Sequence, residues 1–185
     1  MAKFTKIPKS TFDNLQLDAG ILLNTFNPEQ PEEPEDSAIL CATTGGITIS
    51  AAAEYSDMGE DVDNCPVGMM ELKKLVSWLC TVAFSSITFS PAMLRLGLGA
   101  ADVMDQKVTL RRDIQQEDFA DIWWVGDLAD GGMVAVHLMN ALSTEGIEIT
   151  TSKNGKGTIG MTLQGHVSMA AQDTMPMEFY VVAGA

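Results

Sequence analysis

Between residues 131 and 169 apolar and polar residues alternate with the period of two that a half-buried strand requires. In the last part of this stretch Ile159, Met161, Leu163, Val167 and Met169 share one face, and Thr158, Thr162, Gln164, His166 and Ser168 the other. Residues 146–152 (GIEITTS) put Ile147 and Ile149 on one side and Glu148, Thr150 and Ser152 on the other. Residues 133–142 (MVAVHLMNAL) are apolar on both sides, with Val134, Val136 and Leu138 opposed to Met133, Ala135 and Met139. Such a strand must be covered twice, by the domain's own core or by a neighbouring subunit. The pattern therefore predicts three consecutive strands. Asn154-Gly155 lies between the last two and supplies the pair of positive-φ residues that a two-residue type I′ hairpin turn demands. On that reading a β-branched residue at 155 would cost roughly 1 kcal/mol.

The remaining elements follow from similar signals. Residues 1–20 read as a surface arm or a short helical turn, and 20–26 (GILLNTF) as the first strand. In 27–37, Pro28, Pro31 and Pro34 alternate with five carboxylates, which makes an extended loop. Residues 38–42 and 47–53 flank Thr43-Thr44-Gly45-Gly46 as a second hairpin, and 54–66 form a second acidic loop. The stretch 71–89 fits a helical stripe (Leu72, Val76, Leu79, Val82) or an alternating strand (Trp78, Cys80, Val82, Phe84). Its β-branched and aromatic content favours a long strand, with a bulge at Ser85-Ser86. Ser90 and Pro91 start a short helix that Gly99 ends. Strands are predicted over 107–112, 120–128 and 177–183, with a capping box at Asp113 and Gln116 between the first two. Roughly nine or ten strands and one helix describe a mainly β sandwich or barrel.

Composition narrows the function. One domain of 185 residues is large enough to bury about 70% of its unfolded surface without a staple. Its three cysteines lack metal-ligand spacing and suit a reducing compartment. No apolar run has the length of a membrane span, and MAKFTKIPKS lacks the apolar core of a signal peptide, so synthesis in the cytoplasm without membrane insertion is expected. The net charge is −14, from 25 acids and 11 bases, and the bases gather only as Lys3, Lys6 and Lys9 and in pairs. A surface of this kind repels nucleic acid instead of gripping it.

No motif carries chemistry. Gly155 to Gly160 satisfies GxGxxG, but a strand follows where a nucleotide site needs a helix. Asp57, Glu60, Asp61, Asp63 and Asn64 are close in sequence, yet they do not follow the calcium-loop spacing. His137 and His166 have no HExxH, GxSxG or Walker A context, and structural or solvated roles are expected for them. Trp123 and Trp124 point to opposite faces, so at least one belongs to the core. No enzyme activity and no cofactor are expected.

In their order along the chain, several segments resemble the tail tube (major tail) proteins of long-tailed bacteriophages. They are 12–20 (FDNLQLDAG), 42–47 (ATTGGI), 59–64 (GEDVDN), 98–102 (LGAAD), and the block from Trp123-Trp124 through the hairpin. The resemblance covers most of the chain. It implies a single β-sandwich domain over 1–185 with a flanking helix, an N-terminal arm (about 1–20) and two acidic loops, 27–37 and 54–66. It further implies six copies per ring, and stacked rings that form a conduit for genomic DNA in the virion tail. By the same resemblance the partners are further copies of the chain, a tape measure protein, and tail terminator and distal tail proteins. Glu148 and Thr150 are the expected lumen-facing residues. Met133, Ala135, Met139, Glu32, Glu35, Asp57 and Asp61 are the expected inter-subunit contacts, and both acidic loops are expected to become ordered only against adjacent rings. The competing expectation is an acidic β-sandwich binding module, for capsid decoration or carbohydrate.

Overall fold

The computed structural model describes residues 6–184. The first five residues of the expected arm lie outside that range. Along the chain come β1 (Gln16–Leu23), β2 (Thr43–Asp57), β3 (Lys73–Ser86), α1 (Pro91–Leu98), β4 (Ala101–Met104), β5 (Lys107–Leu110), β6 (Ala120–Leu128), β7 (Met133–Thr150), β8 (Thr158–Gln164) and β9 (Met177–Val182). All strand pairings are antiparallel. Strands β1-β6-β7-β8-β3-β2 form one curled sheet, β9 joins β7, and β4-β5 form a separate ribbon. The fold is mainly β and sandwich-like with one short helix, as the alternation predicts.

The curl is set by β7. Its first half, Met133 to Leu138, pairs with β6 on one side and β9 on the other, while Leu142 to Thr150 pairs with β8. Two irregularities separate the halves. Asn140 has φ 47° and Gly146 φ 76°, and the register slips between Ser143 and Ile147. The predicted break between two strands at this point is instead a bulge within one strand, because the extra residues are absorbed at positive φ without reversing the chain. The two halves of the sheet then face each other. Leu22, Ile122, Val136 and Leu138 from one half meet Val82, Phe84, Met161 and Leu163 from the other, all buried.

The other face of β7 is also covered from within the chain. Ala135 packs with Leu23 and Trp123, and Phe26, Val125 and Tyr180 lie against them. The proline-rich loop 27–37 begins after Phe26 and ends at Ala38, so it spans this outer face as a strap. Pro31, Glu32, Glu33 and Pro34 roof a cavity of about 550 Å³ whose walls include Ile21, Leu23, Val125 and Met133.

Several local expectations change. β1 starts at Gln16 rather than 20. Thr43 to Gly46 do not turn a hairpin; Gly45 (φ 80°) and Gly46 (φ 86°) are an outward bulge in β2, which pairs with β3 on both sides of it. The bulge therefore falls on the partner of Ser85 and not on Ser85-Ser86, so Cys80, Val82, Phe84 and Ser86 stay in phase and buried. The hairpin of β7 and β8 is present, but Asn154 and Gly155 are absent from the positive-φ residues and the strands close at Thr150 and Thr158. A loop spans 151–157 in place of a type I′ turn, and the positive-φ argument for Gly155 falls. β8 ends at Gln164, leaving Val167 (46%) and Met169 (90%) exposed. β4 has no counterpart in the prediction, and the capping box is Gln115 with Asp118.

The helix forms as its ends dictate. Ser90 Oγ accepts from the Met93 N–H (3.2 Å), Pro91 occupies the first helical position, and Gly99 at φ 72° donates to the Arg95 carbonyl (3.0 Å). Gly97 lets the helix approach β7 and β8, since a Cβ there would collide with Ile147 Cγ2 and lie 3.1 Å from Met161 Cε. Gly97→Val should destabilise the protein by about 2 kcal/mol through overpacking, read from urea unfolding. Pairing it with Ile147→Ala should recover part of that loss; simple additivity of the two losses would exclude this contact as the cause.

Candidate functional site

The half-sheet β2-β3-β8-β7 has an inner face in the core and an outer face of one consistent character. Register sets its rows. Thr44, Ser85, Gly160 and Glu148 align across the four strands, then Thr48, Ala83 and Thr162, then Ser50, Thr81 and Gln164, with Thr150 beside Thr158. Their neighbours in sequence, Ile49, Val82, Phe84, Ile159, Met161 and Leu163, point the other way into the core. In these rows every side chain is short or uncharged except that of Glu148, and none is basic. Glu148 and Thr150 are both exposed, on the face opposite Ile147 and Ile149. This wall was legible only in part, because the Thr and Ser positions of β2 and β3 become one surface through pairing that alternation alone does not reveal.

A second feature is a projecting ribbon. Beyond Ala51 and Cys80 the paired strands β2 and β3 leave the body, and every residue from Lys73 to Leu79 is exposed. Apolar side chains remain on both of its faces, with Tyr55 61%, Val76 58%, Leu79 50%, Leu75 44% and Trp78 37% exposed. An isolated two-stranded ribbon is marginal in water, so this arm requires something to lie against.

The expected contact residues are scattered. Ala135 (0%) and Met133 (8%) are interior, which removes them as inter-subunit contacts: the chain itself covers that face of β7. Met139 is half-buried. Glu32 and Glu35 are exposed on the strap, and Asp61 is exposed at the tip of the arm. Asp57 is engaged internally, accepting from the Gly59 (3.1 Å) and Gly68 (3.0 Å) N–H groups and pairing with Lys73 (3.4 Å), so it closes the tip loop.

The residues that suggested chemistry are structural. His137 stacks on Trp123 with centroids 4.0 Å apart, and its nitrogens lie 3.6 Å from Asp121 and 3.9 Å from Glu178. His166 Nδ1 lies 3.2 Å from the Asn140 carbonyl, and the ring packs edge-on to Phe119. Trp123 is buried and Trp124 donates to the Ala19 carbonyl (2.9 Å), so the pair presents no open platform for a sugar. The glycines of the GxGxxG match precede and enter β8, as the hairpin reading requires.

Sequence reading missed the main ionic cluster. The fully buried Asp118 carboxylate pairs with Arg111 and, at 3.5 Å, with Arg95, and accepts from the Gln115 N–H at 2.8 Å. Arg111 also reaches Asp102 at 2.9 Å. Helix α1, the β4-β5 ribbon and the turn before β6 are thus tied at one point. Burial pushes the Asp118 carboxyl up, but the Gln115 N–H and the two guanidinium groups outweigh it, and its pKa lies below the ordinary value.

No protein-family model matches the sequence, and no curated protein matches it. Among solved structures, the chain is similar to a chain of the "Virion of native gene transfer agent (GTA) particle". That likeness has 10% identity and a TM-score of 0.43, and it covers 88% of this chain and 95% of the other.

A depressed folded-state pKa contributes stability above the unfolded value and loses it as pH falls through the folded one. Urea midpoints should therefore drop below about pH 4, the unfolded carboxylate value. Asp118→Asn should cost about 2–3 kcal/mol at pH 7 and flatten that acid limb; an unchanged limb would assign the acid sensitivity to Asp57 and Asp130, which are also depressed.

Proposed function

We propose that this chain is a tail tube protein, a structural virion component that self-assembles into stacked hexameric rings and forms the conduit for DNA delivery. The observation that carries the reading is the outer face of β2-β3-β8-β7. A wall against which DNA must slide has to avoid holding phosphates, and this face offers hydroxyls, small side chains and a carboxylate but no lysine or arginine in its rows. Repeated six times around a ring, Glu148 would give a circle of negative charge effective over about one Debye length, roughly 8 Å in physiological salt. Thr150 lines the same wall. The exposed apolar arm supplies the second support, because a chain that leaves such a surface open is incomplete as a monomer.

On this reading the strap, with Glu32 and Glu35, and the arm tip, with Asp61, contact neighbouring copies, and Met139 becomes covered on assembly. The chain acts as one domain without cofactor or enzymatic role. It is made in the cytoplasm of a bacterial host and ends in the phage tail beside a tape measure protein, a tail terminator and distal tail proteins. Among the described residues no helix is long and apolar enough to cross a membrane. The binding-module alternative draws no support from Trp123 and Trp124, which offer no platform.

Electron microscopy of the purified protein should show rings or tubes with the Ser/Thr-rich face inward; a map with that face outward would end the reading. Glu148→Lys should leave unfolding within about 0.5 kcal/mol of the parent, because the position is exposed. It should make assembled tubes retain DNA at low salt and release it as salt rises. Free passage of DNA through the variant at low salt would remove Glu148 from the channel wall.

A further inference from the structure

We infer that the N-terminal segment of one copy, residues 6–12, docks into the groove beside α1 of a second copy. The inference rests on the self-assembly proposed above and names one of its contacts. The groove measures about 720 Å³ and lies between α1 and the start of β6. Ile39, Leu40, Leu96 and Ile122 give it an apolar lining, Glu117 and Asp121 stand at its border, and its one lining base, Arg95, is paired with Asp118. At Asn24 and Ser37 it meets a hollow of about 590 Å³ in the strap, where Glu32, Glu33 and Glu35 add further carboxylates. An acidic, apolar-floored channel calls for a basic, apolar strand of chain.

The sequence contains one such segment. Lys3, Lys6 and Lys9 make up three of the eleven bases in a chain of net charge −14. Among the described residues of this segment Ile7 and Phe12 are 65% and 64% exposed. Basic and apolar residues are interleaved there, and Ile7 and Phe12 are largely uncovered in the monomer.

Reach excludes the segment's own groove. The Asp13 and Leu15 carbonyls accept from the Asp130 (3.2 Å) and Ala129 (2.9 Å) N–H groups, which pins the chain at the β6-β7 turn. The groove lies at the other end of β6, near Asp121, and the run from Leu128 to Asp121 spans about 23 Å at roughly 3.3 Å per residue. From Asp13 the chain crosses the helical turn Lys9–Thr11, which rises about 2.0 Å per residue, so extended chain beyond it carries Ile7 at most about 17 Å and Lys6 about 20 Å. Neither can enter the groove of its own copy, so the partner is another copy. Donor and acceptor sit at opposite ends of the same half-sheet, which makes the contact head-to-tail and able to propagate.

The test is disulfide trapping in a Cys65→Ser background, where Cys41 and Cys80 stay buried. Ile7→Cys and Ala92→Cys, the latter exposed on the α1 wall of the groove, are placed in one chain and oxidised. The expected result on a non-reducing gel is a ladder of dimers and higher multimers. Adding Lys6→Glu and Lys9→Glu should lower the yield about fivefold or more at low salt, an effect that fades as salt rises. Only an intramolecular disulfide, or rings and tubes without any cross-link, would overturn the inference while leaving the tube reading standing. A ladder without rings or tubes would support the contact and sink the tube. Protein that stays monomeric and unlinked at every concentration would refute both.

Discussion

The structure depends on β7 being hydrogen-bonded to different partners along its length. A strand whose two faces are both apolar cannot sit at a surface, and here β6 and β9 flank its first half while β8 takes up its second. The slip at Asn140 and Gly146 lets one continuous backbone serve both halves of the sheet. Main-chain pairing is preserved, and the sheet gains the curl that closes it over Leu138, Ile159 and Leu163, each fully buried. If the irregularity were removed, the residues after it would change faces, since side chains in a strand alternate with a period of two.

From that constraint follow the two unlike surfaces of β2-β3-β8-β7. The inner face belongs to the core, and the outer face is free to be chosen for what passes or binds there. The outer side of the other half-sheet took a different course, with the proline strap laid over Leu23, Val125 and Met133. The arm belongs to neither solution. Its strands continue past the end of the core, and among the described residues no other element follows them.

Much of this was legible in the residues. The alternation of Ile159, Met161 and Leu163, the caps at Ser90, Pro91 and Gly99, and the bounds of β6 read directly, because each depends on neighbours a few positions away. Thr43 to Gly46 were misread because glycine marks positive φ without distinguishing a bulge within a strand from a reversal, and Asn154-Gly155 because the pair marks a reversal without fixing its turn type or loop length. The Asp118 cluster could not be read at all, since Arg95, Arg111 and Asp118 meet only through tertiary packing. The Glu148 wall lay between these cases. Its own strand declares the outward side, yet the Thr and Ser positions of β2 and β3 join it only through register.

The outer face of β2-β3-β8-β7 has a mechanical consequence that arises from the size of its side chains. Apart from Glu148 and Gln164 the rows hold serine, threonine, alanine and glycine, which have few rotamers to lose or exchange, so most of the face has little conformational freedom to reorganise under a moving contact. A long flexible side chain would bend, catch and relax as a polymer passed, dissipating work at each step. Short side chains on a paired backbone instead present a shallow, stiff relief with low corrugation. If the chain forms a conduit as proposed, drag along such a surface would arise chiefly from the intervening water and depend little on which segment of the polymer is passing.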